Sequence, residues 1–476
     1  METGDRLLFE MARAAKQDEL WKRGDRIVVA VSGGPDSMAL LHLFSRLAGE
    51  EELTILAAHV NHGFRKEESA LEAEMVRTYT AELGIPFEMT VLDMPAYIEE
   101  TGMNPSAASR ERRYAFLHEA AERFGADSIA LAHHADDQAE TIMMRLLRGT
   151  GLTGLAGMQT RRREKNVELI RPLLRMNKSD ITGYCERHGV PFCIDSSNNE
   201  RYYFRNVIRL DVLPYLSEFN PQLSRSLRRL AEVAGEEDDW MERQAEAQFA
   251  ELVASSPGEC KVDTASLTAL HVALQRRLIK LILNYLSNEE DIASFEMIET
   301  IRLAASPESP STWKQDIGFG LRCIREYDEM RWTCVQPKGS DEQVTEGGLI
   351  VIPESSRFET VAAGDCRLTF ERRNNGDVQR PKGRDEALFD ASQLVFPLRV
   401  RGREPGDRIS VLGLNGSKKV QDMFVDVKLA PSRRDDYPLV FDAEGRLLWI
   451  PGIRRSDHAL ADPETKDFLF IRLENE

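Results

Sequence analysis

The sequence predicts an α/β protein: a doubly wound parallel sheet over residues 1–217, a helical middle domain over 218–335, an irregular linker over 336–385 and a small β-rich C-terminal domain over 386–476. Three observations predict it. Short β-branched apolar runs alternate with helical stretches through the first half, at the spacing of strand–helix–strand units. Two polar motifs stand where a strand ends and a helix begins. Past residue 217 the alternation gives way to long helical periodicity, and past Phe389 to strand-like runs.

The elements follow in order. Residues 5–22 have amphipathic helical spacing. Arg26–Val31 is a β-branched strand, Ser32-Gly33-Gly34-Pro35-Asp36-Ser37 a tight turn, and Met38–Phe44 opens a buried helix. Leu53–Val60 is the second strand and runs into Asn61-His62-Gly63-Phe64-Arg65. A helix over 67–83 leads through Gly84-Ile85-Pro86 to a third strand, Phe87–Leu92. Next come a helix over 106–124, a strand over 128–132 and a helix over 136–147. Gly149–Gly157 is glycine-rich and predicts a mobile loop; Leu169–Leu174 is a last strand, 179–188 a helix, and Phe192–Asp195 a short strand. Residues 220–284 and 294–305 read as helical, with an acidic patch at Glu236–Asp239. Gly347-Gly348, Asn374-Asn375-Gly376 and Pro381-Lys382-Gly383 mark the linker and its few strands. Leu398–Arg401, Arg408–Val411, Leu447–Ile450 and Phe468–Ile471 carry β character.

Composition narrows the function classes. No apolar run is long enough to span a membrane, so no membrane partner is expected. The first 22 residues are charged throughout and lack a signal peptide's apolar core. Six scattered cysteines form no close pair, which argues against a disulfide framework or a zinc site and for a cytoplasmic setting. The net charge is -17, so a nucleic-acid partner must be held by local basic patches. One candidate is Arg201–Arg229, with six arginines against two acids and Tyr202, Tyr203 and Phe204 interleaved. Another is Arg399–Arg455, with twelve Lys and Arg against eight Asp and Glu. Arg161-Arg162-Arg163 is a third.

The turn Ser32–Ser37 carries the main chemistry. The first amides of a helix have no internal partner and the helix dipole favours an anion there. Gly33 and Gly34 allow close backbone approach, and Ser32 and Ser37 add hydroxyl donors. Asp36 would repel a phosphate, and makes sense with Mg²⁺ between them. No lysine follows, so this is not the mononucleotide loop Gly-x-x-x-x-Gly-Lys-Ser/Thr. The second motif, Ala132-His133-His134-Ala135-Asp136-Asp137-Gln138-Ala139-Glu140-Thr141, opens a helix at the same sheet edge. Asp137 and Glu140 share a helix face and suit Mg²⁺ or a cationic amine, and His133 suits donation to a phosphate. Ser109–Tyr114 sets Arg110, Arg112 and Arg113 within one turn, where guanidinium groups can bind phosphate oxygens.

The turn resembles the loop of the N-type ATP pyrophosphatases, Ser-Gly-Gly-x-Asp-Ser, also called PP-loop enzymes, with a Rossmann-like fold. That resemblance implies cleavage of ATP between its α and β phosphates, leaving AMP on an acceptor oxygen. Nearly the whole chain resembles the tRNA(Ile)-lysidine synthetase family, on Ser32–Ser37, His59–Arg65, Arg110–Tyr114, His133–Thr141 and Arg205–Arg209. Pro405-Gly406-Asp407-Arg408, Lys418-Lys419-Val420 and Trp449–Arg454 resemble the family's last domain. Ala132 stands where many relatives carry glycine.

The resemblance implies a ligase that adenylates C2–O of the wobble cytidine in the CAU-anticodon isoleucine tRNA. L-lysine then displaces AMP, and charging changes from methionine to isoleucine. It implies ATP and Mg²⁺ as cofactors, tRNA and L-lysine as partners, and leaves the oligomeric state open, a homodimer included. It assigns catalysis to Asp36, Arg113, His133 and Asp137, ATP binding to Ser32, Gly33, Gly34, Pro35, Asp36 and Ser37, the metal to Asp36, and lysine or tRNA binding to Asp137, Glu140 and Arg205. A tRNA thiolase of the same superfamily would need a sulfur-carrying cysteine or a Cys-x-x-Cys pair, whereas Cys185 and Cys193 are eight apart. A non-catalytic nucleotide- or RNA-binding protein would not require Asp36, Asp137 and Glu140 together.

Overall fold

The computed structural model describes residues 3–475 apart from 65, 195–200, 288–292, 335–349, 356, 364–365, 375–380 and 412–415. Arg65, Asp195, Gly347-Gly348 and Asn375-Gly376, named above, lie outside the described residues. The chain divides into two compact units, Met1–Glu242 and Arg243–Glu476.

In the first unit, strands β1 (Arg26–Ala30), β2 (Thr54–Asn61), β3 (Phe87–Val91), β4 (Ser128–Ala130), β5 (Arg161–Glu164) and β6 (Val167–Ile170) form one sheet in the order β3-β2-β1-β4-β6-β5. All pairings are parallel except that of β5 with β6. Sequence order reverses at β1, which pairs with β2 on one side and β4 on the other. Ligands bind open α/β sheets at such a switch point, beyond the carboxyl ends of the strands. Ile27, Val28 and Val29 are fully buried, as expected for a strand covered on both faces.

The helices are α1 (Thr3–Gln17), α2 (Pro35–Glu51), α3 (Lys66–Glu82), α4 (Met94–Thr101), α5 (Pro105–Phe124), α6 (Ala135–Arg148), α7 (Leu152–Leu155) and α8 (Lys178–His188). Then follow α9 (Phe204–Val207), a π-helical turn over Ile208–Val212, α10 (Leu213–Phe219) and α11 (Leu223–Leu252). Helix α2 buries Met38, Leu40, Leu41, Leu43 and Phe44 completely. Truncating one such leucine to alanine costs about 3 kcal/mol, so the anchor of the Ser32–Ser37 turn is stiff. Helix α4 was not expected: its eight residues sit between two better signals, with Asp93 capping Ala96 N.

The glycine-rich segment expected to be mobile is tied down. Arg145 Nη1 donates to the carbonyls of Gly154 and Gly157, and Gln138 Oε1 accepts from Met158 N at 2.7 Å. Gly157 has φ +67°, and a Cβ there would lie 2.6 Å from Gln138 Oε1, so the tether needs glycine. Phe192–Ile194 is not a strand; its Cys193 amide donates to the Gly33 carbonyl at 2.9 Å. The edge arginines Arg161 and Arg162 pair with Glu168 and Glu164.

In the second unit the helical stretch beginning at residue 220 is broken by a hairpin, Ala254–Ser256 with Glu259–Asp263. With strands Thr312–Gly318, Leu321–Glu326 and Glu329–Cys334 it makes a five-stranded antiparallel sheet beside helices Val272–Ser287 and Phe295–Ala304. Trp332, Leu278 and Ile282 share its core. The described residues of 350–475 form two further antiparallel sheets around Trp449, Phe389 and Leu398 and a two-stranded one that pairs Arg408–Ser410 with Ser417–Lys419. No helix among the described residues is long and apolar enough to cross a membrane.

Candidate active site

The turn between β1 and α2 is held open by its own atoms. Ser37 Oγ accepts from Ser32 N at 3.0 Å, donates to the Gly34 carbonyl at 3.1 Å and touches Ser32 Oγ at 3.1 Å. Gly33 takes φ +86°, Gly34 caps the helix with extended backbone, and Pro35 fills the first turn, where a missing N–H costs nothing. No side chain caps these amides. Around them lies a cavity of about 720 Å³ lined by the turn, Arg113, His133, His134, Asp137, Lys178 and Arg209.

Across the cavity stands the start of α6. Asp137 Oδ2 accepts from its cap residue's amide, His134 N, at 3.1 Å. The two histidines face opposite charge. His134 is buried, which disfavours its cation, but Asp36, Asp137 and Asp136 around it prevail and raise its pKa. Burial pushes His133 down to about 3, and Arg171, Arg205 and Arg113 hold it there against Asp137. His133 is therefore a neutral imidazole at pH 7, still able to donate one N–H. Burial lowers the Arg113 pKa, and its Nε has no partner among the described residues.

Asp36 is part-exposed, yet its Oδ1 is buried with no hydrogen-bond partner among the described residues. Its Oδ2 lies 3.6 Å from His134 Nε2 and 3.9 Å from Lys178 Nζ. An acid oxygen left bare beside a phosphate-sized cavity fits a hard cation such as Mg²⁺. The described residues hold no cluster of three ligating side chains. A Mg²⁺ here would be shared between Asp36, ligand oxygens and water, the usual habit of this ion.

Arg205 and Arg209 belong to the stretch expected to face RNA, Arg205 being grouped also with Asp137 and Glu140 for lysine or tRNA binding; both turn inward onto those two acids. Arg205 Nε donates to Glu140 Oε2 at 2.7 Å and its Nη2 to Asp137 Oδ1 at 3.0 Å. Arg209 Nε donates to Glu140 Oε1 at 2.5 Å and its Nη2 to Glu140 Oε2 at 3.1 Å. Glu140 is only 1% exposed, so both its oxygens are spent on these two arginines. The pull of the two histidines and Arg205 keeps the Asp137 pKa low despite its burial. Burial lifts the Cys185 thiol to about 12 and raises that of Cys193, so neither is a thiolate at pH 7.

The structure thus brings together Ser32, Gly34, Pro35, Asp36, Ser37, Arg113, His133 and Asp137 on one cavity, which Gly33 does not line, with Glu140 and Arg205 immediately behind Asp137. Lys178, Asp136 and Arg209 were passed over as site residues. Lys178 begins α8, its amide donates to Asp136 Oδ2 at 3.1 Å, and no local motif announced it. Arg209 had a signal: it follows Arg205 by four residues, the spacing of one helix face.

Comparison with known proteins adds the following. A PP-loop domain model matches residues 8–216, and a TilS substrate C-terminal domain model matches residues 398–471. The tRNA(Ile)-lysidine synthase of Bacillus cereus is 34% identical over 459 residues, covering 95% of this chain and 93% of its own. That of Bacillus subtilis is 36% identical over 436 residues, 91% of each chain. That of Bacillus licheniformis is 35% identical over 465 residues, 96% of this chain and 95% of its own.

Proposed function

The chain belongs to the tRNA(Ile)-lysidine synthase family, and on that premise we propose that it converts the wobble cytidine of the CAU-anticodon isoleucine tRNA to lysidine, consuming ATP and L-lysine. The observation that carries the reading is the convergence of a bare anion-binding turn and a charged helix start on one cavity at the switch point of a parallel sheet.

Cytosine O2 is a poor leaving group and AMP a good one, so the oxygen is first adenylated. O2 attacks the α phosphorus, the bond to the bridging oxygen breaks, and pyrophosphate leaves with that electron pair. The turn amides and the Ser32 and Ser37 hydroxyls would hold the phosphates. His133 would add a neutral N–H and Arg113 a cation. Asp36 would hold Mg²⁺, which supplies positive charge between carboxylate and phosphates. The lysine ε-amine, as the free base, then attacks C2, the C2–O bond breaks, AMP departs with its electron pair, and the attacking nitrogen gives up a proton to solvent.

Asp137 sits below the usual carboxylate range. That suits it to binding an ammonium rather than to taking its proton. Glu140 contributes through Arg205 and Arg209, which occupy its oxygens. The tRNA body would be read in part by residues 398–471. The high thiol pKa values at Cys185 and Cys193 count against a thiolase.

The test is the mass of the tRNA after incubation with enzyme, ATP and lysine. The expected gain is one lysine less a water, with one pyrophosphate released per tRNA modified. A tRNA of unchanged mass, or the same lysine-sized gain when lysine is left out, overturns the reading.

A further inference from the structure

Arg209 is oriented more rigidly than a phosphate-binding cation on a loop. Its Nε and Nη2 form a two-point pair with Glu140, and Nη2 lies 3.4 Å from Asp137 Oδ1. One edge of the planar guanidinium is therefore spent. Nη1, on the other edge, makes no hydrogen bond among the described residues, and the residue lines the cavity beside the turn. Arg205 shares the same two carboxylates but does not line that cavity.

The backbone reinforces the aim. A π-helical turn over Ile208–Val212, closed by Leu213 N on the Ile208 carbonyl, begins one residue before Arg209. Such wide turns cost regularity and recur where a side chain is re-aimed. Burial opposes the Arg209 cation, but Glu140, Asp137 and Asp36 more than restore it. The turn itself has no lysine, so any side-chain cation for the distal phosphates comes from elsewhere in the chain.

We propose that Arg209 is a catalytic residue that donates from its free edge to the β- and γ-phosphate oxygens of ATP, with Glu140 as the buttress that fixes it. The inference rests on the ATP-dependent reading above. A clamped, planar donor set loses little freedom on binding and stabilises the pyrophosphate as the charge of the broken bond moves onto it. Glu140 is then a positioning residue: it touches no phosphate and acts through the arginine.

The experiment measures binding of ATP, AMP and inorganic pyrophosphate, each with Mg²⁺, to the full chain by calorimetry, alongside tRNA-dependent pyrophosphate release. Arg209→Gln should weaken ATP and pyrophosphate at least tenfold, leave AMP within twofold, and slow pyrophosphate release about a hundredfold. Arg209→Lys, which keeps the charge but loses the fork, should recover only part of the loss. Because removing Arg209 leaves Glu140 with one partner, the charge-balanced pair Arg209→Gln with Glu140→Gln is measured as well, and should show the same selective loss. Equal weakening of AMP, or pyrophosphate binding as in the wild type, overturns the proposal. A wild-type chain that binds none of the three overturns the ATP reading itself, and this inference with it.

Discussion

Two helix starts meet at one edge of the parallel sheet, and they are built in opposite ways. The start of α2 is glycine, proline and hydroxyl, with uncapped amides and a single carboxylate, Asp36. The start of α6 caps itself with Asp137 and sets Asp136, Asp137 and Glu140 against His134, Arg205 and Arg209. Both helices carry the same partial positive charge at that end. At α6 the protein has already compensated it; at α2 it is left for a ligand's anion. One edge of the sheet thus offers an anion site and, facing it, a rigid lattice of paired charges that can orient reactants without collapsing onto them.

The largest effect should come from the one carboxylate on the α2 side. Asp36→Asn removes the acid that reconciles phosphate with a metal. Losing several kcal/mol of charge stabilisation should slow tRNA-dependent pyrophosphate release on the order of a thousandfold. The fold should hardly change, because Asp36 Oδ1 has no hydrogen-bond partner among the described residues and Oδ2 makes only long contacts to His134 and Lys178. Wild-type turnover by this variant at ordinary Mg²⁺ would mean that α2 accepts phosphate without a metal.

On the α6 side the corresponding change should hurt stability first. Glu140→Ala takes away the closer of the two carboxylates that Arg205 and Arg209 share and leaves Asp137 alone between them. Breaking a buried pair costs 3–5 kcal/mol, and because these arginines are partly exposed about 2–3 kcal/mol is expected here. Urea unfolding measures it. A loss below about 0.5 kcal/mol would show that the lattice is not under the tension its geometry implies.

The adjacent histidines divide the two sides by pH. Burial holds His133 down to about 3 in the fold, against an ordinary 6.5, so the unfolded chain binds a proton that the folded chain refuses. Its contribution is present above pH 6.5 and is lost on acidification through the window from 6.5 towards 3, by up to about 1.4 kcal/mol per pH unit. His134 has the opposite sign: its raised folded pKa gives stability that is full below 6.5 and fades as pH rises through the folded value. His133→Gln should flatten the acid limb of the melting-temperature profile, and His134→Gln the alkaline limb. His42 and His62, each held near 4, keep part of the acid limb in both variants. Profiles that move together would mean that the two rings share one environment.

This division was only half legible in the sequence. The β1–α2 unit declares itself because a β-branched run, two glycines and an apolar helix are all local signals. The acids of α6 are local too. Their partners are not: Arg205 and Arg209 lie 65 and 69 residues from Glu140, and in sequence they sit among aromatics that suggest an RNA-facing surface. The five-stranded sheet of the second unit was hidden for a different reason. Ala254–Ser256 is an exposed edge strand with no apolar residue beyond alanine, so period-two patterning is absent. In Leu321–Glu326 the buried Arg325 shares the inward face with Leu321 and Cys323 and disguises that position as a polar one.

The smallest effect tests whether paired and unpaired charge differ in the same way at residues 398–471. Much of the basic excess there is already spent: Arg401 on Asp407, Arg403 on Asp435, Lys418 on Asp426 and Arg446 on Asp442. Arg399, Lys419 and Arg454 are exposed and form no ion pair among the described residues. If this segment holds tRNA phosphates, these three release counterions on binding and the paired four do not. Substitution is the right instrument, because cutting the chain after residue 385 would remove strands Glu386–Asp390 and Asp467–Asn475 together and leave Cys366–Asn374 without its pairing to the latter. Changing Arg399, Lys419 and Arg454 together to glutamine should weaken tRNA binding roughly tenfold at moderate salt and reduce the slope of log K against log salt by about two to three. Arg401→Gln with Arg403→Gln should lower the melting temperature and leave that slope alone. An unchanged slope in the triple variant removes this face from the tRNA contact and leaves the paired residues with a purely structural part.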